Sequence, residues 1–315
     1  MATIAVIIVS WNCREALRKC LLALKEHGPE NVDIIVVDNA SSDSTPDMVQ
    51  REFPKVLLLP QRENLGFARA NNLAMKETGA DYLFLLNPDT QIKSGAIGIL
   101  NSFLDSTPQA GIAAPMLLDD QGLPIASFFR FPNLLNYWTE HSFLITIKER
   151  MRKSRSCKKT GAGQSEPRVR EIDWATGAAF MVRRSALGGD PLFDEGFFLY
   201  SEDADLCKRL SAKGWKRFYV PSAHVAHSHR GSSRQALART IVHLFQSQDL
   251  YFAKHKTPIG RFFLRSFILL DMIIRLLLLK IFPQKKAFRM ENEERRKGYR
   301  DVIRSLNPFR FTNPK

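Results

Sequence analysis

The residues best suited to chemistry in this 315-residue sequence are carboxylates that directly follow apolar runs. Asp89 stands two positions after Asn87 at the end of such a run, where a carboxylate can bind an oxygen-seeking cation such as Mg²⁺ or Mn²⁺. Glu202 and Asp203 follow the apolar segment 197–200, and an acid at the edge of an apolar wall suits a general base. Ordinary explanations exist for both groups, because Asn-Pro-Asp favours a turn and acids stabilise a helix start.

Two histidines that follow a predicted strand at 217–220 could complete a cation site. His227 and His229 are two positions apart, and imidazole nitrogen is a common metal ligand. Either one could be the ligand, and a single histidine is more often an ordinary core or surface residue. The combined pattern indicates a cation site beside a possible general base, provided that the fold brings these residues together.

The first 120 residues predict a mostly parallel sheet covered by helices on both faces. Continuous apolar runs indicate buried strands at 4–9, 34–37, 56–59 and 82–86. Open α/β sheets of this kind bind ligands beyond the carboxyl ends of their strands. The polar residues that follow these strands are Ser10, Asp38, Asn39, Asn87 and Asp89. We therefore expect them to share one crevice.

The formal net charge of +14 is concentrated in two segments. Residues 148–170 carry a net charge of +7 and residues 251–315 carry +11, so the rest of the chain has a net charge of −4. Acid-rich strand ends would repel a nucleic-acid backbone, and we predict no nucleic-acid partner. The four cysteines form no C-x-x-C pair, which favours a reducing compartment over a disulfide framework or a structural zinc site.

Residues 262–282 form the most hydrophobic segment of the sequence. Four charged residues interrupt it, namely Arg265, Asp271, Arg275 and Lys280. At about 100° per residue they fall within roughly one half of a helical wheel. The pattern predicts an interfacial helix with basic residues towards lipid phosphates, and the alternative is a domain-packing helix. A membrane span is disfavoured because charges near its centre cost roughly 2.5–3.5 kcal/mol each.

Eight short motifs resemble those of inverting glycosyltransferases of family 2, particularly the subgroup that includes bacterial rhamnosyltransferases. In order, they are Val9–Asn12, Val37–Ser42, Asn64–Asn72, Leu86–Asp89, Trp174–Gly177, Phe193–Glu195, Tyr200–Asp203 and His227–His229. The resemblance implies a GT-A fold, which is a Rossmann-like α/β architecture with a mixed, mostly parallel sheet. It predicts a catalytic domain at 1–235, including the basic loop 148–170, and a helical, basic, amphipathic membrane-associating extension at 236–315.

The same resemblance implies a role for individual residues. Asp203 matches the catalytic base, and Glu202 would bind donor or acceptor hydroxyls. Asp89 would bind Mg²⁺ or Mn²⁺ together with His227 or His229. The residues implied to bind the nucleotide and donor are Ser10, Asp38, Asn39, Asn64, Gly66, Asn71, Asn72, Asn87 and Gly177. Asn87 stands where the family's D-x-D motif has its first acid, so metal affinity would depend more on the donor diphosphate.

These assignments predict an inverting glycosyltransferase of cell-surface polysaccharide synthesis. It would move a sugar from a nucleotide diphosphate, with dTDP-rhamnose favoured by the resemblance, to a hydroxyl of a glycan or polyprenyl-diphosphate-linked acceptor. The enzyme would be cytoplasmic and peripherally attached to the anionic inner face of the cell membrane. The alternatives are a sugar-nucleotide nucleotidyltransferase, whose glycine-rich basic loop is missing at 10–13, and a non-enzymatic basic membrane or nucleic-acid adaptor.

Overall fold

The computed structural model describes residues 2–141, 168–228, 236–281 and 289–306. The chain divides into two compact units. The first contains the described residues 2–131, 168–198 and 202–228. The second contains 132–141, Leu199–Ser201 and the described residues from 236 onward. The division after residue 232 lies close to the predicted boundary at 235, and the second unit also takes in two earlier segments.

The strands and helices are numbered in chain order. The strands are β1 (Ile4–Ser10), β2 (Val32–Asp38), β3 (Leu57–Pro60), β4 (Tyr82–Leu86), β5 (Thr90–Ile92), β6 (Ala110–Leu118), β7 (Pro124–Ile125), β8 (Phe128–Phe129), β9 (Arg170–Glu171), β10 (Trp174–Ala175), β11 (Ala179–Arg183) and β12 (Lys216–His227). The helices are α1 (Arg14–His27), α2 (Thr45–Glu52), α3 (Gly66–Lys76), α4 (Ala96–Ser106), α5 (Leu134–His141), α6 (Arg184–Leu187), α7 (Glu202–Ala212), α8 (Leu237–His255), α9 (Pro258–Ile281) and α10 (Arg289–Ser305).

The first unit is built on a mixed sheet with the strand order β3-β2-β1-β4-β11-β6-β12-β5. The four strands predicted from apolar runs are all present, and they pair in parallel as neighbours. All five residues of β4 are buried, and so are the four consecutive residues 5–8 of β1. Such runs fit a strand covered on both faces, because successive side chains point to opposite sides of the sheet.

The register of these strands brings their polar ends to one edge of the sheet. Ser10 at the end of β1 pairs with Asp38 at the end of β2. Strand β4 is the other parallel neighbour of β1 and ends at Leu86, directly before Asn87. Strand β11 runs antiparallel to β4 and begins at the same edge, with Ala179 opposite Leu86. These residues therefore lie along one edge of the sheet, and their sharing of one crevice stays a prediction.

Helix α9 of the second unit corrects the predicted orientation of its charges. Arg265 binds the carboxylate of Asp249 on α8 through two hydrogen bonds of 2.7 and 2.9 Å. Arg275 donates a 2.7 Å hydrogen bond to Asp271, and both side chains are largely buried. The prediction that these arginines face lipid phosphates is wrong, because partly buried guanidinium groups require carboxylate partners and find them within the unit.

Within the described part of the chain, no helix has both the length and the apolar character needed to cross a bilayer.

Candidate active site

Asp38 lies at the end of β2, and only one of its two carboxylate oxygens has a hydrogen-bond partner among the described residues. Its Oδ2 accepts a 2.9 Å hydrogen bond from the amide of Ser41. Its Oδ1 is buried and has no hydrogen-bond partner among the described residues. A buried acceptor without a partner is costly, so this oxygen is suited to a ligand donor such as a ribose hydroxyl or a base N–H. The neighbouring Asn39 amide bonds the backbone of Leu65 and Gly66.

The pairing of β5 with β12 brings Asp89 and His227 together. Their antiparallel register sets His227 opposite Thr90, which directly follows Asp89. The amide of Ser228 donates a 3.0 Å hydrogen bond to the Asp89 carbonyl. As a result, His227 Nε2 lies 3.3 Å from Asp89 Oδ1. The turn itself is closed by Thr90, whose hydroxyl donates a 2.6 Å hydrogen bond to the carbonyl of Asn87.

The Asp89–His227 pair fits a divalent cation that is also bound by substrate. Two ligand atoms at right angles around a cation, each about 2.1 Å from it, are about 3 Å apart, close to the observed separation. No group of three or more candidate ligand side chains occurs among the described residues, so at most two of the described side chains would hold a cation here. Mg²⁺ commonly takes one or two carboxylates and completes its shell with water and phosphate oxygens. His229, the predicted rival of His227, lies outside the described residues.

Asp203 is tied by hydrogen bonds to the same edge of the sheet. It is the second residue of α7, and its Oδ2 accepts a 2.9 Å hydrogen bond from the amide of Gly177. Its Oδ1 accepts a 2.8 Å hydrogen bond from the amide of Ala204. The next carbonyl along from Gly177, that of Ala178, accepts a 2.9 Å hydrogen bond from the amide of Asn87. Residues 177–178 therefore connect Asp203 to the turn that carries Asp89.

The backbone directly before α7 is in an unusual conformation. Tyr200 and Ser201 have φ angles of 75° and 63°, in the left-handed region that residues other than glycine seldom occupy. Two consecutive residues of this kind cost roughly 1–3 kcal/mol each, and such strain is concentrated at functional sites. The strained pair immediately precedes Glu202 and Asp203, the two acids singled out in the sequence.

The two acids differ in how their charges are supported. Burial raises the pKa of Asp203 to about 6, although the hydrogen bonds from Gly177 and Ala204 counteract this rise. Burial and the neighbouring Asp203 charge raise the pKa of Glu202 well above its ordinary value. The buried Glu202 Oε2 has no hydrogen-bond partner among the described residues. Two backbone amides thus support the Asp203 carboxylate, whereas the Glu202 carboxyl lacks such support at Oε2, so Asp203 is the better suited of the two to serve as a base.

The rate of transfer is expected to rise with pH and to level off above about pH 6. The active form of a base is its carboxylate, and protonation removes it as the pH falls below the raised pKa of Asp203. The measurement is kcat/KM at pH values between 5 and 8. Below the midpoint, kcat/KM should fall about tenfold for each pH unit. Glu202→Gln should leave the midpoint near its parental position. A flat profile, or a midpoint that disappears only in Glu202→Gln, would contradict the assignment.

The start of α3 holds the chain segment that leads to Asp203. Gly66 has a φ of 79°, and a Cβ there would lie 2.5 Å from the carbonyl oxygen of Phe198. The amide of Phe67 donates a 2.7 Å hydrogen bond to that carbonyl. The Asn72 side chain both accepts a 2.9 Å hydrogen bond from the amide of Phe193 and donates one of 2.8 Å to its carbonyl. Gly66 and Asn72 thus position this segment, and their donor contacts stay predictions.

The other predicted donor-binding residues make contacts within the protein that do not bear on donor binding. The side-chain oxygen of Asn64 accepts a 2.9 Å hydrogen bond from the backbone amide of Gly66, which stabilises the turn into α3. The Asn71 side chain donates a 2.8 Å hydrogen bond to the carbonyl of Phe67, one helical turn earlier. Ser10 is buried and lies 3.2 Å from the thiol of Cys13. For these residues, and for the half-buried Asn87, donor binding remains a prediction.

Two cysteines that were not predicted as site residues contact the predicted ones. Cys20 on the buried side of α1 directs its thiol to the carbonyl of Asn87 at 3.8 Å. Burial raises the pKa of Cys20 to about 12, so it is a thiol at neutral pH. Cys13 also has a raised pKa, chiefly through burial and in part through the charge of Asp89. The position of Cys20 on the buried stripe of α1 is a signal that could have indicated this contact, whereas Cys13 precedes the helix as its N-cap.

Comparison with known proteins identifies relatives over most of the chain. The family described as Glycosyl transferase family 2 matches residues 5–125. The N-acetylglucosaminyl-diphospho-decaprenol L-rhamnosyltransferase of Mycobacterium tuberculosis is 30% identical over 242 residues, covering 70% of this chain and 75% of the relative. The rhamnosyltransferase WbbL of Escherichia coli is 27% identical over 266 residues, covering 82% of this chain and 96% of WbbL.

Solved structures share the fold at low sequence identity. The mannosyltransferase PcManGT of Pyrobaculum calidifontis, solved with GDP-Man and Mn²⁺, matches with a TM-score of 0.54 and 16% identity, covering 98% of this chain and 84% of that one. GalNAc-T7, solved with UDP, GalNAc and Mn²⁺, matches with a TM-score of 0.56 and 12% identity. The match to GalNAc-T7 covers 98% of this chain and spans only 57% of that protein. These likenesses show a GT-A-like fold.

The sequence relatives and the structural matches agree with each other. The sequence relatives favour a transferase over the nucleotidyltransferase and adaptor alternatives, since both relatives named here are glycosyltransferases. The chain belongs to glycosyl transferase family 2 and is a glycosyltransferase that uses a nucleotide-sugar donor.

Proposed function

We propose that the enzyme transfers L-rhamnose from a nucleoside diphosphate, with inversion, to a hydroxyl of a lipid-diphosphate-linked glycan. The observation that carries the proposal is that Asp38 and the Asp89–His227 pair lie at adjoining strand ends of one sheet, and that Asp203 is hydrogen-bonded to Gly177 just before β11 at the same edge. This edge offers a hydrogen-bond acceptor for the nucleoside, a pair of side chains that can bind a cation, and a carboxylate of raised pKa. Those are the three elements that displacement of a diphosphate by a hydroxyl requires.

Asp203 acts as the base in this reaction. It accepts the proton of the acceptor hydroxyl as the oxygen forms a bond to the anomeric carbon, and the nucleoside diphosphate leaves from the opposite face. The amides of Gly177 and Ala204 hold the carboxylate in one orientation before the acceptor arrives. Glu202 binds a sugar hydroxyl through its buried Oε2, which has no hydrogen-bond partner among the described residues.

Asp38 and the Asp89–His227 pair bind the donor. Asp38 Oδ1 accepts a hydrogen bond from the nucleoside, in keeping with its buried and unpartnered state among the described residues. Asp89 and His227 would hold Mg²⁺ or Mn²⁺. When bound, such a cation neutralises charge on the leaving diphosphate, which is the kind of electrostatic stabilisation that usually contributes most to catalysis. Mn²⁺ accompanies the nucleotide in both structural relatives named above.

The substrate assignment rests on the names of the sequence relatives. Two relatives are rhamnosyltransferases, and the mycobacterial one is named for an N-acetylglucosaminyl-diphospho-decaprenol acceptor. A lipid-linked acceptor requires the enzyme to work at a membrane surface. We assign that association to the basic helical region 236–315, with residues 1–235 as the catalytic domain, acting at the cytoplasmic face of the cell membrane. An anionic acceptor would also favour the basic loop 148–170, most of which lies outside the described residues.

The proposal is tested with a panel of nucleotide sugars. Purified protein with Mn²⁺ or Mg²⁺ is incubated with each donor and with an N-acetylglucosaminyl-diphospho-prenol acceptor, and release of nucleoside diphosphate is measured. We expect acceptor-dependent release to be greatest with dTDP-rhamnose, and the product to have the anomeric configuration opposite to that of the donor. Preference for a UDP-hexose would contradict the sugar assignment, and retention of configuration would contradict the role of Asp203.

A further inference from the structure

Helix α9 directs its three arginines and Asp271 towards the interior of the second unit. Arg261 and Arg265 both bind the carboxylate of Asp249 on α8. Arg275 binds Asp271 one turn before it on the same helix, and its guanidinium lies over the ring of Tyr299 on α10. An ordinary surface helix has the opposite arrangement, with apolar residues facing its own domain and charges facing water.

The outward face of α9 is apolar. Six large side chains on it are between 41% and 69% exposed, namely Ile259, Phe263, Leu270, Ile273, Leu277 and Ile281, which we call the α9 stripe. At about 100° per residue they fall within an arc of about 80°, and at 1.5 Å per residue they extend along about 33 Å. Single exposed apolar residues are common, whereas six along one helix face, interrupted only by Ser266, mark an interaction surface.

We propose that the α9 stripe is the surface that enters the headgroup and outer acyl region of an anionic membrane, with α9 lying in the membrane plane. This inference rests on the membrane association assigned above to 236–315, and it replaces the geometry expected from sequence, in which arginines faced the lipid. An amphipathic helix in the membrane plane buries its apolar face about 5–10 Å deep, and the α9 stripe is suited to that depth.

Charge favours a lipid surface over a second copy of the chain. Residues 251–315 have a net charge of +11, so two copies pairing through this region would repel each other. Anionic lipid is attracted by the same charge. Cations also border both ends of the α9 stripe. Lys254 and Lys256 line an open depression of about 840 Å³ at its start, and the exposed Lys280 stands at its end. Long lysine stems can place their ammonium groups among phosphates while neighbouring apolar groups go deeper.

The test compares two double variants with matched exposure. In Leu270→Ser/Leu277→Ser, both leucines are 49% exposed and belong to the α9 stripe. In the control Leu22→Ser/Leu57→Ser, the leucines are 45% and 43% exposed and belong to the first unit. Flotation with phosphatidylcholine vesicles containing phosphatidylglycerol should show binding lowered about tenfold or more by the first pair, and unchanged by the second. Nucleoside diphosphate release with a water-soluble acceptor should be parental in both.

Each other outcome overturns a different part of the inference. Equal vesicle binding by both double variants would show that the α9 stripe is not the membrane surface. A parent that releases nucleoside diphosphate but does not bind these vesicles would refute the membrane association itself and spare the catalytic proposal. If sedimentation shows a parental dimer that Leu270→Ser/Leu277→Ser dissociates without loss of vesicle binding, then the stripe joins two copies of the chain.

Discussion

Replacing Asp203 by asparagine is expected to lower the turnover number about 10²–10⁴-fold while nucleotide affinity stays near the parental value. An amide has nearly the same shape but cannot accept the proton of the acceptor hydroxyl. Its oxygen can still accept one of the two hydrogen bonds that the backbone amides of Gly177 and Ala204 donate to the carboxylate. The measurements are the initial rate of sugar transfer at saturating donor and the affinity for nucleoside diphosphate by calorimetry.

The matched control is the same change two positions along α7. Asp205 is fully buried and accepts a 2.8 Å hydrogen bond from Arg209. Asp205→Asn should lower the free energy of unfolding, because it weakens a buried ion pair, yet leave the turnover of folded enzyme largely intact. Transfer at the parental rate by Asp203→Asn would refute the base assignment. Equal losses of turnover in both variants would indicate a general disturbance of the helix start.

The ionisation of Asp203 also links stability to pH. Its pKa is about 6 in the fold against an ordinary value of 3.8, so the folded protein binds more protons between these values. A carboxyl with a raised pKa therefore makes the fold less stable as the pH rises from about 4 to about 6, with no further change above. Asp203→Asn lacks this titration. As the pH rises from about 4 to about 6, the free energy of unfolding of Asp203→Asn should therefore increase relative to that of the parent.

Much of the site was predictable because it depends on local patterns joined by one general rule. Apolar runs of strand length identified β1, β2 and β4, and the chain alternates these with helices. Parallel neighbours end at the same edge, so the polar residues after them had to adjoin. Ser10, Asp38 and Asn87 follow from that reasoning without any knowledge of the tertiary structure.

Other features depend on contacts that no local pattern encodes. Asn72 and Phe193 are 121 positions apart, and only the fold shows that the asparagine holds the backbone leading to Asp203. The arginines of α9 gave a periodic pattern that resembled a lipid-facing face. The partner of Arg265, Asp249, lies on another helix, whereas Arg275 binds Asp271 on α9 itself, and a helical wheel contains no information about neighbouring helices. The helical period of these arginines was predicted correctly, but they face neighbouring side chains and not lipid.

Replacing Asp89 by alanine is expected to lower turnover about 10²–10³-fold and to raise KM for the donor. Among the described residues, the carboxylate of Asp89 and the imidazole of His227 are the two candidate ligands at this edge. Without the carboxylate, only a nitrogen ligand remains, and Mg²⁺ and Mn²⁺ prefer oxygen. His227→Ala keeps the carboxylate and should lose less, with activity partly restored by higher Mn²⁺ concentration.

A readout independent of turnover separates a metal role from a structural one for Asp89. Ligands that bind only the folded state raise its melting temperature, so Mn²⁺ with nucleoside diphosphate should stabilise the parent more than nucleoside diphosphate alone. Asp89→Ala should lose this extra stabilisation. Asp119 supplies the control, since it also follows a strand and accepts turn hydrogen bonds, from Gln121 and Leu123. Asp119→Ala should retain the Mn²⁺ effect, and its retention by Asp89→Ala as well would place the cation elsewhere.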